Sequence, residues 1–187
     1  MLDLSHNNLT SISGLDGLSV RELNLRGNRI ADLSGLENCP RLSSLNVSDN
    51  LLQSLSPLRA CASLMWLDAR DNSLAHVRHA SFLAGLQWLS TVLLMGNPCS
   101  QKRLYRRRVL HCLPNLFKLD ESDVTAEEKI ETANMYGTAR ADVQDRQLVF
   151  RRHLPHDQCD SPALFQDDEQ DLTMEQLLQT TAHVAAE

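Results

Sequence analysis

The 187 residues carry a net charge of −6, with 42% hydrophobic side chains and only 4% aromatic ones. No apolar run approaches the ~18 residues that span a bilayer, and no basic stretch followed by an apolar one opens the chain, so neither a membrane span nor a secretory signal is visible. The negative charge argues against nucleic acid as the principal partner, and the scarcity of aromatics means that the core must be built from aliphatic side chains.

In chain order the first feature is a repeat. Asn28, Asn50 and Asn72 lie 22 residues apart, Asn7 precedes them by 21 and Asn97 follows by 25. Each closes the same frame: Leu2-Asp-Leu4, Leu23-Asn-Leu25, Leu45-Asn-Val47, Leu67-Asp-Ala69 and Val92-Leu-Leu94 each stand three residues ahead of the asparagine. Past the asparagines the apolar positions stay in step, with Leu9, Ile12 and Leu15 matching Ile30, Leu33 and Leu36, then Leu52, Leu55 and Leu58. The period of two in Leu-x-Leu is a short strand with both leucines turned to the core. The asparagine stands where the chain leaves the strand, and its amide can satisfy backbone groups that a buried bend would orphan. One unit cannot bury its own leucines, whereas stacked units make a continuous core. The leucines and the ladder Asn7, Asn28, Asn50, Asn72 and Asn97 are therefore read as scaffold.

These residues resemble the 22-residue subclass of leucine-rich-repeat proteins, typified by the regulatory subunit of type-one protein phosphatase, over residues 2 to about 137. The resemblance implies an α/β solenoid, a right-handed superhelix with a parallel concave sheet. The unit from Asn72 to Asn97 is three residues longer than the others, and its Ala80, Phe82, Leu83, Leu86 and Leu89 predict a helical turn on the convex side. Met1 leads straight into the first strand, leaving no room for an N-terminal cap. The expectation is a missing upstream segment, a covering partner or a frayed first coil, because a bare edge strand invites association.

After Asn97-Pro98 the frame stops. Lys102 to Cys112 reads as a helix sealing the last coil, and Leu113 to Asp120 restarts a strand-like frame. Thr125 to Glu128 supplies a capping box for a helix beginning near Ala126, and Gly137 is a plausible stop. The series Asn-Pro, Tyr105-Arg106, Val109-Leu110, Leu113-Pro114, Leu119-Asp120 and Val124-Thr125 resembles the helical C-terminal cap shared by the spliceosomal A-prime protein and axonemal leucine-rich-repeat proteins. Lys102, Arg103, Arg106, Arg107 and Arg108 crowd this segment. They form either an anion-binding patch or, as we favour, the solvated face of a capping helix.

Beyond Thr138, Val143, Phe150 and Leu154 fit one more helix ending before Pro155. His153 to Glu187 holds eight acidic residues and no lysine or arginine, which reads as a disordered tail. Within it Thr173 to Gln176 could open a short recognition helix, although a solvated tail is the better reading. The expected organisation is thus five repeats over 1–98, a cap over 99–137, a further helix over 138–154 and an acidic tail over 155–187.

No phosphate loop, nucleophile motif or metal-ligand spacing points to catalysis or to a cofactor. His76 and His79 lie three apart, a spacing open to a metal pair, but without an evident third ligand they read as surface histidines. Cys39 and Cys61 replace leucines of the repeat, and five cysteines are an odd number, so reduced buried thiols in the cytoplasm are expected rather than disulfides.

Alternation in the strands turns the residues beside the inward leucines toward the concave face. Three columns result: Glu22, Ser44, Trp66 and Thr91; then Asp3, Asn24, Asn46, Asp68 and Leu93; then Ser5, Arg26, Ser48, Arg70 and Met95. Trp66, Leu93 and Met95, with Asp68 and Arg70 beside them, form the candidate anchor for a partner, and Glu22, Asn24 and Arg26 extend it. The reading against it is that the chain's own tail or cap covers Trp66. The functional expectation is a non-catalytic scaffold or regulatory subunit binding another protein on the concave face, in a cytoskeletal, axonemal or phosphatase complex. The alternative is a nuclear ribonucleoprotein component that grips an RNA-bound protein. Neither direct nucleic-acid binding nor membrane binding is expected.

Overall fold

The computed structural model describes residues 1–136 apart from Ser13, Asp16 and Leu18. The readings of Gly137, of a helix over 138–154 and of the acidic tail lie outside the described residues.

Seven strands follow one another in a single sheet in chain order. Strands β1 (Leu2–Asp3), β2 (Glu22–Asn24), β3 (Ser44–Asn46), β4 (Trp66–Asp68), β5 (Thr91–Leu93) and β6 (Lys118–Leu119) are parallel. The last, β7 (Ser122–Asp123), pairs antiparallel with β6. The register runs through the inward residues, Leu2 beside Leu23, then Leu45, Leu67, Val92 and Leu119. The strands are short because each coil turns out of the sheet within three residues of its second inward side chain. The return path on the other side is extended or 3₁₀ helix, over Leu36–Asn38, Ser56–Ala60, Val77–Leu83 and Pro98–Gln101. In the long fourth unit the expected helical turn is thus a 3₁₀ segment.

The core is a single aliphatic column. Leu25, Ile30, Leu33, Leu36, Leu45, Leu52, Leu55, Leu58, Leu67 and Leu74 are wholly inaccessible to solvent, each stacked on its counterpart in the adjacent coil. Leu2, Leu4, Leu9 and Leu15 of the first coil are only partly buried, since one side of that coil meets no other described coil. Cys39 and Cys61 are buried, and their S–H groups donate to the carbonyls of Leu15 (3.6 Å) and Leu36 (3.4 Å) one coil back. Burial, then the neighbouring Cys39, pushes the Cys61 thiol up to about 12.

The asparagines perform the junction chemistry. Asn50 Oδ1 accepts from the N–H of Ile30 (3.0 Å) in the coil before it, while Nδ2 donates to the carbonyls of Leu25, Val47 and Ser48 at 3.0–3.1 Å. Asn28, Asn72 and Asn97 repeat this pattern at Leu9, Leu52 and Leu74. Asn7 differs. It is exposed and donates only within its own coil, to Leu4 and Ser5. The residue ahead of each asparagine, His6, Gly27, Asp49, Asp71 or Gly96, is left-handed, with φ of 54°, 66°, 55°, 52° and 73°. Histidine, aspartate and glycine are among the residues that tolerate this region. At Gly96 space also requires glycine, since a Cβ there would lie 2.0 Å from Asp71 Oδ1.

Two helices close the far end, α1 (Tyr105–Cys112) and α2 (Ala126–Tyr136). Helix α1 starts later than the sequence suggested, because Pro98 to Gln101 is 3₁₀ and Leu104 is left-handed at φ 58°. The capping box is present at α2: the N–H of Glu128 donates to Thr125 Oγ1 (3.2 Å) and the N–H of Thr125 to Glu128 Oε2 (3.3 Å).

Candidate interaction surface

The parallel register arranges the outward residues of β2–β6 as continuous columns. Trp66 stands between Ser44 and Thr91, and Lys118 follows Thr91. One column over, Asp3, Asn24, Asn46, Asp68 and Leu93 run in register. Through the first three coils these columns are polar. From β4 onward apolar groups gather: Met95 is 41% exposed, and Trp66 and Leu93 are half-buried.

Alternation was an incomplete guide to what these side chains do. Asp68 is a correction: it is buried, 1% exposed, and not an outward contact. Its Oδ1 accepts the N–H of Arg70 (3.1 Å) two residues on, and Arg70 Nη2 closes an ion pair at 2.7 Å on Oδ2. The same turn recurs along the column. Asp3 Oδ1 accepts from the N–H of Ser5 (2.9 Å), Asn24 Oδ1 from Arg26 (3.2 Å) and Asn46 Oδ1 from Ser48 (3.0 Å). These short acceptors hold their own coil's exit from the strand. The bonds from Ser5 hold the Asp3 carboxyl below its usual range. Arg70, anchored on Asp68, keeps its side chain part-exposed on the coil next to that of Leu93 and Met95. Of the remaining candidates Glu22 is exposed, and Arg26 is exposed and paired with Asp49 at 2.8 Å.

Among the exposed apolar residues that escaped the sequence reading are Met65 (50%), Trp88 (66%) and Phe117 (72%). Met65 and Phe117 occupy the position just ahead of the strand in their coils, where Arg21, Ser43 and Ser90 stand in the others. The coil-to-coil bonds Met65 N–H to Ser43 O, Ser90 N–H to Met65 O and Phe117 N–H to Ser90 O link that position along the sheet rim. Carrying the columns one residue further toward the strand entry would have found them. Lys129 of α2 lies over the Phe117 ring at 5.3 Å.

The five cations after Asn97 do not share one open surface. Arg106 binds Glu128 through both arms, Nε to Oε1 at 2.7 Å and Nη2 to Oε2 at 2.9 Å, and donates further to the carbonyls of Leu119 and Asp123. That fork raises the Arg106 pKa and holds the Glu128 carboxyl below its ordinary value. Arg107 pairs with Glu131 at 3.2 Å, Arg108 is buried, Lys102 is half-buried and Arg103 is exposed. The cluster is largely the stitching of α1 to α2, so the favoured reading of a solvated helix face needs amending as well.

His76 and His79 stack with ring centroids 6.1 Å apart on the 3₁₀ segment, both half-buried, and burial lowers His79 to about 4. Among the described residues no group of three His, Cys, Asp or Glu side chains could hold a metal ion. Nor is any helix among them long and apolar enough to cross a membrane.

Comparison with known proteins agrees with this architecture. A family model of leucine-rich repeats, in two copies, matches residues 18–60. None of the curated protein sequences matches the chain. Among solved structures, a leucine-rich-repeat protein of Leptospira interrogans is 26% identical with a TM-score of 0.53, covering 63% of this chain and 30% of its own length. Internalin C2 of Listeria monocytogenes is 27% identical with a TM-score of 0.52, covering 63% of this chain and 49% of its own. The chain thus spans half or less of the length of these two relatives. The Drosophila melanogaster SNF/U2A′ complex gives 27% identity and a TM-score of 0.48, over 80% of this chain and 73% of that one. The fold is the leucine-rich-repeat solenoid. Proteins of this fold are protein-interaction scaffolds and typically non-catalytic.

Proposed function

We propose that the chain is a non-catalytic scaffold or regulatory subunit that binds a protein partner on the C-terminal half of its concave sheet, through Trp66, Leu93, Met95 and Arg70. The observation that carries this reading is the break in the columns: polar groups through β3, then an apolar cluster rimmed by Met65 and Phe117 with Arg70 anchored beside it. Large apolar groups ringed by charge are the usual anchors of interfaces. The cytoplasm is the compartment we propose, since Cys39 and Cys61 stand at buried leucine positions of the repeat. A cytoskeletal, axonemal or phosphatase assembly is the setting that the repeat and cap resemblances favour.

The test is affinity purification of partners from native extract with the wild-type chain and with Trp66→Ala, identification of the captured protein, and a binding titration beside a melting curve. Trp66→Ala should weaken binding by ~2 kcal/mol or more with the melting temperature nearly unchanged. Full affinity in a folded variant would remove this site.

A further inference from the structure

The break at β5 has its own chemistry. In the four coils before it, the residue between the two inward side chains is Asp or Asn, and its side-chain oxygen accepts the N–H two residues on. At β5 that residue is Leu93, whose side chain has no acceptor. The corresponding donor, Met95 N–H, is instead bound at 3.1 Å by Oδ1 of Asp120 from the next coil. The same oxygen takes the N–H of Leu94 at 2.7 Å. In every other coil that second donor finds a backbone carbonyl across the sheet: Leu4 N–H at Asn24, Leu25 at Asn46, Val47 at Asp68 and Ala69 at Leu93. Asp120 is left-handed at φ 57°, where the chain turns from β6 into β7, so its carboxylate stands in for the carbonyl that the turn withdraws. Its other oxygen accepts the hydroxyl of buried Tyr105 at 3.0 Å, which fixes the carboxylate over β5.

We infer that Asp120 is a positioning residue for the concave face and Leu93 its specificity-determining position. One carboxylate from the last coil does the work of two acceptors, and this releases position 93 from the Asp or Asn that every earlier coil requires. The released position carries a leucine between Trp66 and Met95. The face is thereby suited to an aliphatic or aromatic side chain of a protein partner at the one described repeat junction where the repeat's own chemistry does not impose a polar group. The recognition half of the inference rests on the concave-face reading, whereas the positioning half does not.

The test uses the full chain in two measurements. Amide exchange by NMR is compared for wild type, Asp120→Ala, Asp120→Asn and the double variant Leu93→Asn/Asp120→Ala. Asp120→Ala should speed exchange of both Leu94 and Met95 at least ~10-fold, while Asp120→Asn, which keeps the accepting oxygen, should not. The double variant should restore protection at Met95 alone, because an asparagine at 93 reaches that donor and not Leu94. Equal exchange at Met95 in Asp120→Ala and the double variant would overturn the positioning role. If Asp120→Ala fails to fold, the Leu93→Asn single variant decides it: the Met95 N–H should then exchange at least as slowly as in wild type, and faster exchange would refute the shared-acceptor account. For recognition, the probe is a peptide selected from a random displayed library on the wild-type chain. Leu93→Asn should weaken its binding ~10-fold or more, with melting unchanged and Gln53→Ala on the return side as control. A peptide lost on Trp66→Ala but indifferent to Leu93→Asn would overturn the inference and leave the concave-face reading standing. A peptide indifferent to both would sink that reading.

Discussion

The coil junctions and the C-terminal cap solve one problem with different chemistry. Both must satisfy backbone groups that the turns leave exposed to an apolar column. Inside the array the solution is a neutral amide, which donates and accepts at once and so serves the coil before it and its own. Asn50 and Asn72 are interchangeable in this respect. At the end the symmetry lapses, and charged groups take over: Asp120 accepts two amides, and Arg106 ties α1 to the β6–β7 turn and to α2. A repeating junction favours a group that looks alike from both sides, while a terminal one can use a carboxylate or a guanidinium facing one way.

The largest expected effect tests the junction itself. Asn50→Ala removes four bonds from buried partners and should cost about 3 kcal/mol in thermal or urea unfolding, while Asn7→Ala should cost under ~0.5 kcal/mol. Equal losses would mean that the coil-to-coil bonds matter no more than those within a coil. Next comes Gly96→Ala, which places a Cβ against Asp71 in a left-handed backbone; a loss of about 2 kcal/mol is expected. A silent Gly96→Ala would show that Asp71 moves aside freely. At the cap, Arg106→Lys keeps the charge and loses the fork on Glu128. Because the pair is partly exposed, about 1 kcal/mol is the expected cost, measured by melting.

The last test is by pH. His79 is lowered to about 4 from 6.5, so the unfolded chain takes up a proton that the folded one refuses. Stability should therefore decline as pH falls from 6.5 toward 4 and level off below. Glu128 is lowered as well, and its ion pair, intact above about 4.5, is lost only as pH falls through that lowered value. Burial lowers His111 of α1 too, so the cap shares the decline in mild acid and a variant at His79 is needed to isolate the fourth unit's part. His79→Gln should flatten the decline between pH 6.5 and 4, and an unaltered slope would assign it to other groups.

The periodic part of the molecule was legible because periodicity is a statement about neighbours. Leu25, Ile30 and Asn28 could be placed from spacing alone, since each coil faces a copy of itself. The capping box at Thr125 and Glu128 was legible because its bonds are local. What alternation could not give was the use each outward side chain makes of its surroundings. Asp68 points to the concave side by parity yet is buried, because a short carboxylate two residues from an open N–H turns to it. Arg106 read as one of five surface cations, because its partners Glu128, Leu119 and Asp123 are brought to it only by the turn after β6. Met65 and Phe117 were missed because the columns were begun one residue too late.

The thiols give the solenoid a set of internal clocks. Cys39 and Cys61 lie in successive coils, Cys99 follows the fifth asparagine and Cys112 ends α1, all four buried. Sealed in the column, with Cys61 held up to about 12, none offers a reactive thiolate until its own coil opens. The order in which a small alkylating reagent marks them therefore records the direction in which the array comes apart, coil by coil.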